Sequence, residues 1–451
     1  MNALLESRLR LVHFASFAGV VLLNGANSTA SAAVGLAAAT LVLIAGSAVP
    51  YRRAELHRLT TILLLIPLLL LVHTAVVLWW DPTGTTAHPV WDHLRQQFGT
   101  PGGNRSVMRY EAAWEIAETV LPFFFAAAAV PLYRDALHAR QFHRRLTWLG
   151  AAFALYGIVQ IVLFPTWYFG RDAAYAGNLT GFYVNRNAAA ALLVMTLLAG
   201  LSELERVAER VDLRRIAALI VSRRGTNTAE RRVLVTAGLV LIQFVALFLT
   251  RSRAGTTVGL LAVAAFLALR LPVLLNRNAL RPTAPIKIAG GIAATLFVLI
   301  LADGVLHRFD TQGVDTSRWC VYPSFWRMTV DAWPWGLGLG GVVAAFPSYR
   351  RPECGISGFW ETAHDSWLEG LLTLGALFPL SVVAILAVTL PPIWRAWRDG
   401  RRSKPIALVA LLAAAAMALH SIVDFPLEIP ANAGLLATFA VVAVGAAPRP
   451  G

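Results

Sequence analysis

Apolar residues run in blocks too long for the interior of a soluble domain. Twelve stretches are dominated by Leu, Ala, Val, Ile and Phe, at about 11–23, 29–49, 60–80, 114–133, 146–164, 186–201, 233–250, 254–275, 286–305, 366–391, 406–423 and 431–447. A helix rises about 1.5 Å per residue, so roughly 20 apolar residues cross a hydrocarbon core about 30 Å thick. The pattern predicts an all-α polytopic membrane protein of about 12 transmembrane helices. The first stretch is short and interrupted, and 186–201 is also short. No small-residue cleavage site ends the first span and the second follows at once, so it is expected to stay rather than be removed as a signal peptide. Residues 1–305 form spans one to nine with short loops, 306–365 one large loop, and 366–451 spans ten to twelve. No internal repeat stands out.

Composition agrees with this division. Of 451 residues, 57% are hydrophobic and 14% charged, well below the roughly 25% charged of soluble domains. The mean hydropathy is +0.61. The net charge of +14 would suit a nucleic-acid partner on a soluble protein, but here each charge has a side. With the N-terminus in the cytoplasm, inner segments hold 27 of the 39 basic residues and 9 of the 25 acids, a net +18. Outer segments hold 12 basic residues and 16 acids, a net −4. The excess of inner Arg and Lys orients the chain with both termini cytoplasmic. The basic stretch 202–232 then faces anionic lipid headgroups, and no nucleic-acid partner is expected.

External arginines run against the orienting rule and therefore carry information. Arg251 and Arg253 lie in the tight outer link Thr250-Arg251-Ser252-Arg253-Ala254-Gly255. The planar guanidinium fork suits phosphate, although snorkelling to lipid phosphates is the plainer reading. Asn185 precedes span six as a candidate N-cap. Arg186 and Asn187 follow in the first turn, where a cation opposes the helix dipole and a nearby anion would relieve it.

The loop 306–365 is too long for a connector and holds Arg318, Arg327 and both cysteines, Cys320 and Cys354. A disulfide there fits an oxidising periplasm; two separate thiols are the alternative. The glycine-rich run 331–341 has no strand-then-helix unit around it and reads as a tight turn or close packing. His364 stands where the chain re-enters the membrane and is a candidate general base. Asp365 or Glu369 would orient it; a structural histidine is the alternative. Glu111, Glu115 and Glu118 share one face at the start of span four, where the dipole favours carboxylates. No external Asp-x-Asp motif and no His pair of metal-ligand spacing occurs, so no metal or other cofactor is expected.

Five stretches, in order, resemble the O-antigen ligase/polymerase family of bacterial inner-membrane proteins. They are GFYVNRNAAAALL (181–193), TRSRAGTTVGLL (250–261), RWCVYPSFWRMTVDAWPWGLGLGGVVAAFPSYR (318–350), AHDSWLEGLLTLG (363–375) and HSIVDFPLEIPANA (420–433). His364 and Gly375 fit the ligase motif, in which Gly follows the His by eleven residues. Asp365 replaces the usual amide or hydroxyl, and Pro379 replaces a small residue or Tyr. The segment 420–433 is more similar to exopolysaccharide-cluster members, which points toward a polymerase.

The resemblance implies a metal-independent inverting glycosyltransferase acting at the periplasmic face. It would move a glycan from undecaprenyl diphosphate to a hydroxyl of another glycan, of lipid A-core or of another acceptor. His364 would be the base. Arg251 and Arg253, helped by Arg186 and by Arg318 or Arg327, would hold the diphosphate. Trp333, Trp335, Trp360 and Trp367 would stack on sugars or sit in the interfacial aromatic belt. A transporter or flippase of lipid-linked glycans and a protein O-oligosaccharyltransferase are the competing readings. Transporters place their sites near the bilayer midplane between repeated halves, whereas the ionisable residues here gather at the outer ends of spans.

Overall fold

The computed structural model describes residues 3–51, 53–79, 90–99, 109–168, 171–172, 176–209, 211–212, 226–277, 295, 316–355, 360–400 and 402–449. Its described elements are helical apart from one two-residue antiparallel ladder, in which Trp167 pairs with Asp172 and Tyr168 with Arg171. Among the described residues, seven helices are long and apolar enough to cross a membrane, so the chain is a helical, membrane-embedded protein. The expected ninth span, 286–305, lies outside the described residues. So do the side chains of Glu111 and Arg318, and residues 213–225 of the basic stretch 202–232.

Two compact units divide the chain. The first comprises residues 1–132, 314–392 and 421–441. Its N-terminal part holds α1 (Ala3–Leu22), α2 (Thr29–Ser47), α3 (Ala54–Trp79), α4 (Val90–Phe98) and α5 (Arg109–Ala129). On α2 a stripe of small residues, Ala32, Gly35, Ala39 and Gly46, is buried. A Cβ on Gly35 would meet Val20 at 2.9 Å and Leu121 at 3.0 Å. Small residues at helical spacing let backbones approach closely, which is how membrane helices gain packing energy without a hydrophobic drive.

The remainder of this unit contains α10 (Thr316–Ala332), α11 (Gly341–Ala345), α12 (Ser366–Leu374) and the start of α13 (Leu377–Arg398). Val321, Phe325, Met328 and Ala332 recur at helical spacing on α10 and are buried, with Leu337, Val342, Phe346 and Leu372 against them. Trp319, Trp326 and Val330 lie on the opposite, exposed face. Thus part of the expected outer loop is a folded element with its own apolar core. Cys320 and Cys354 are joined in a disulfide across it.

The expected span 366–391 is not one helix. It breaks after Leu374, at Gly375, whose φ is 54° and ψ −131°, a conformation glycine tolerates and other residues do not. The cause is close backbone packing. The Leu337 amide donates to the Leu372 carbonyl at 2.7 Å, Gly338 to Thr373 at 3.1 Å, and Ala376 to Pro334 at 2.8 Å. A Cβ on Gly375 would lie 2.0 Å from the Pro334 oxygen, and one on Gly336 2.6 Å from the Thr373 oxygen. The glycine-rich run is therefore a close-packing element, laid along the break. His73 of α3 completes the seat, its Nε2 hydrogen-bonded to the Trp335 carbonyl at 2.7 Å.

The second unit comprises residues 133–313, 393–420 and 442–451. It contains α6 (Ala136–Leu163), α7 (Arg186–Ala208), α8 (Thr228–Leu249), α9 (Arg253–Arg277) and α14 (Lys404–His420). The helix α15 (Pro430–Ala446) begins in the first unit and ends in this one. α7 is almost wholly buried and packs against α6, α8, α9 and α14, as its all-round apolar sequence requires. At its C-terminal end Glu205 is buried and paired with Arg270, whose Nε lies 3.1 Å from the carboxylate. Glu203 pairs with Arg206. Pairing is what makes such burial tolerable.

Candidate functional site

In the first unit the chain around His364 is shaped by two carboxylates of the same short helix. Asp365 is the N-cap of α12, accepting from the Trp367 amide at 2.9 Å and the Leu368 amide at 3.1 Å. The structure thus uses the Asp365 carboxylate to start the helix. Burial raises its pKa, opposed by those two amide donors. Glu369 reaches back one turn and accepts from the Ala363 amide at 2.7 Å, anchoring the residue just before His364. Between these two anchors His364 takes a φ of 54°, a region that non-glycine residues pay to occupy. The Tyr322 hydroxyl donates to the His364 carbonyl at 3.4 Å, and the His364 amide to the Thr362 hydroxyl at 3.4 Å.

Aromatic rings hold the imidazole. Its centroid is 5.3 Å from that of Trp360, edge-on at 88°, and 5.1 Å from Phe425, tilted at 53°. Trp360 leans on Phe346 at 5.8 Å, which stacks on Phe325 at 4.7 Å. The wall therefore continues into the core of α10.

A cavity of about 290 Å³ opens beside the imidazole. His364, Trp360 and Phe425 form one part of its lining, and Glu361 and Glu428 bring carboxylates. Asn27 and Thr362 complete it. Glu428 lies in the turn before α15, and that turn docks on α12: the Ser366 amide donates to the Ser421 carbonyl at 2.9 Å and to the Asp424 carbonyl at 3.3 Å. One Glu428 oxygen receives the Ser366 side chain. The other, Oε1, is buried with no hydrogen-bond partner among the described residues. Burial, then the neighbouring Glu369 and Asp424 carboxylates, push the Glu428 carboxyl well above its ordinary range. Glu115 of α5 also lies close enough to repel Glu369.

Of the other expected residues in this unit, Arg327 lies beside Tyr349. The Tyr349 hydroxyl donates to Asp331 at 2.8 Å, and its pKa is raised by burial and by that carboxylate. Arg318 falls in the first turn of α10. Trp333, Trp335 and Trp367 are exposed, so Trp360 is the tryptophan of the four that reaches the cavity.

The remaining expected residues belong to the second unit. Asn185 caps α7, accepting from the Asn187 amide at 2.7 Å and the Ala188 amide at 3.4 Å. Ser252 caps α9, its hydroxyl accepting from the Gly255 amide at 3.1 Å. A Cβ on Gly255 would lie 2.5 Å from the Ala190 Cβ, so the first turns of α7 and α9 run side by side. That contact places Arg186, Arg251 and Arg253 at neighbouring helix N-termini. Arg251 has a φ of 52°, turned out of the line of either helix. Two adjacent N-termini with three arginines favour an anion through backbone dipoles as well as charge.

Sequence reasoning did not find Asn27, Glu428 or the Ser252 cap. Ser-x-x-Gly was readable as a cap signal, whereas Asn27 and Glu428 reach the cavity by tertiary packing alone. Among the described residues no group of three or more His, Cys, Asp or Glu could hold a metal ion. No family model matches the chain, and no curated protein matches it significantly.

Proposed function

We propose that the chain is a glycosyltransferase of the O-antigen ligase/polymerase kind, working without a metal at the periplasmic face of a bacterial inner membrane. The observation that carries the reading is His364: an imidazole beside a 290 Å³ cavity, between two aromatic rings, on backbone of positive φ. Strained backbone at a cavity wall, held by Asp365 and Glu369 on either side, is a common mark of a working residue. The residues lining the cavity come from segments that the charge pattern assigns to the outer side. In this reading twelve spans carry the site, with both termini in the cytoplasm.

The reaction needs a base, a presented anomeric carbon and a stabilised leaving group. The acceptor oxygen attacks the anomeric carbon as its proton passes to His364. The bond from that carbon to the diphosphate oxygen breaks, and undecaprenyl diphosphate leaves with the electron pair. Configuration inverts in a single displacement. Arg251 and Arg253, with Arg186, take up the growing negative charge. The phosphate linkage supplies the driving force, so no nucleotide is consumed.

The test is transfer by the purified full chain in nanodiscs, from an undecaprenyl-diphosphate glycan to glycan and lipid A-core acceptors. A product ladder marks a polymerase and a single addition to lipid A-core a ligase. His364→Ala should insert and fold yet lose transfer, and Arg251→Lys, which keeps charge but loses the fork, should be strongly slowed. Full activity in His364→Ala, or movement of the glycan with no new glycosidic bond, overturns the reading.

A further inference from the structure

The proposed chemistry leaves the acceptor unnamed, and the cavity beside His364 bears on its class. This step rests on that reading of the site. The cavity has the mixed lining of a sugar subsite. Trp360 and Phe425 offer ring surface for an apolar sugar face, while Asn27, Thr362, Glu361 and Glu428 offer polar groups for hydroxyls. Glu428 carries a specific demand, because its Oε1 is buried and lacks a partner among the described residues. A buried acceptor atom left unmet destabilises the fold. A sugar hydroxyl bound in the cavity would meet it.

Charge narrows the choice further. No Lys or Arg is among the described residues lining this cavity. Three described basic side chains of this unit have other neighbours: Arg350 stands over the Phe346 ring at 5.5 Å, Arg351 pairs with Glu353, and Arg327 lies by the Tyr349–Asp331 pair. Carboxyl groups are instead concentrated: Glu361 and Glu428 line the space, and Glu369 and Asp424 stand close behind Glu428. These carboxylates already repel one another, and burial holds the Glu428 proton more tightly than usual. A bound anion would add to that repulsion, facing Glu361 with no Lys or Arg among the described lining residues.

We infer that the cavity beside His364 is the acceptor subsite and that it selects an uncharged sugar, rejecting acceptors whose terminal residue bears a carboxylate, phosphate or sulfate. Glu361 sets the choice by charge, and Glu428 sets it by hydrogen bonding, its Oε1 taking a hydroxyl of the bound sugar.

The experiment uses the full chain in nanodiscs and two probes. One is a neutral hexose trisaccharide; the other is the same trisaccharide with its terminal C6 oxidised to a uronate. Binding is read by saturation-transfer NMR and transfer by product formation from the lipid-linked donor. The wild type should bind the neutral probe about tenfold or more tightly than the uronate at low salt. Glu361→Gln, at an exposed position, should narrow the gap, and the Glu361→Gln/Glu428→Gln pair should bring it to about twofold. His364→Ala should leave the binding preference in place. Equal binding of the two probes, binding of neither, or a preference unchanged in both Gln variants overturns the inference. If the preference holds but no donor is ever transferred, the proposed reaction fails and the subsite stands. If both acceptors are extended equally well, the reaction stands and the subsite fails.

Discussion

Removing the Cys320–Cys354 bridge would test whether the element beside His364 owes its order to that covalent tie. The bond closes a loop with a sequence separation of 34 and joins α10 to the short turn Pro352–Cys354. Chain entropy gives a stabilisation near 2.1 + 1.5R ln n cal/mol/K, about 3.8 kcal/mol at 25 °C for n of 34, as a ceiling. Most of that should be local, because α10, Leu337–Phe346 and Trp360 form their own apolar core. A tie of that size shifts a local opening equilibrium by roughly 10²–10³-fold. Hydrogen exchange by mass spectrometry on Cys320→Ala/Cys354→Ala in nanodiscs reads the shift directly. Protection across α10 should fall by up to that factor, while α7 in the second unit keeps its protection. The proposed transfer should fall as well, because Trp360 and His364 follow the bridge by six and ten residues. Wild type treated with dithiothreitol should behave like the variant. Unchanged protection in α10 after verified loss of the bridge would show that the apolar core alone orders the element.

Gly375→Ala should be among the most damaging single substitutions, at about 3 kcal/mol or more, since the new Cβ meets the Pro334 oxygen and the φ and ψ are closed to alanine. Gly238→Ala, where a Cβ meets nothing within 4 Å, is the control and should gain up to ~1 kcal/mol; equal melting temperatures for the two would discredit the packed break. Glu428→Gln should change the pH profile of stability. The wild-type carboxyl binds its proton more tightly folded than unfolded, so its contribution is full below the ordinary glutamate value and is lost as pH rises through the elevated folded value. The melting-temperature gap between Glu428→Gln and wild type should therefore widen in the variant's favour from pH 5 to pH 8, and a constant gap would refute the shift.

Helices were legible wherever an apolar run coincided with a continuous backbone. The expected spans 233–250 and 254–275 match α8 and α9 to within a few residues, because Thr250–Ser252 interrupts the apolar pattern at the true turn. Span ten was misread for the opposite reason. Leu371 to Leu390 is apolar almost throughout, and the break at Gly375 comes from Pro334, about forty residues earlier in the chain. The site divides in the same way. His364 and the Asn185 cap were visible because their signals are local: a polar residue at a membrane boundary, and an amide before a helical run. Glu428 falls within the segment 420–433 without a local signal of its own, and Asn27 lies between the first two expected spans. Their membership of the cavity depends on the α1–α2 turn and the turn before α15 folding toward the chain around His364, which no window along the sequence reports.

The two kinds of charge that the proposed reaction needs are kept in separate units. In the proposed reaction, deprotonating an acceptor hydroxyl leaves a positive imidazolium, which negative surroundings stabilise, and the exposed Glu361 carboxylate shares its cavity with His364. Expelling a diphosphate calls for the reverse, and the side-by-side starts of α7 and α9 carry Arg186, Arg251 and Arg253. Interspersed, the carboxylates and guanidiniums would pair with one another, as Glu203 with Arg206 and Glu205 with Arg270 do at the far end of α7. Those pairs neutralise charge for the sake of burial. The groups around the cavity do the opposite: the carboxyls gather until burial and mutual repulsion raise Glu428, at a cost in stability that packing of the unit must offset. On the proposed reading, the net −4 of the expected outer segments is the sum of two opposed fields, one serving a proton and one a phosphate.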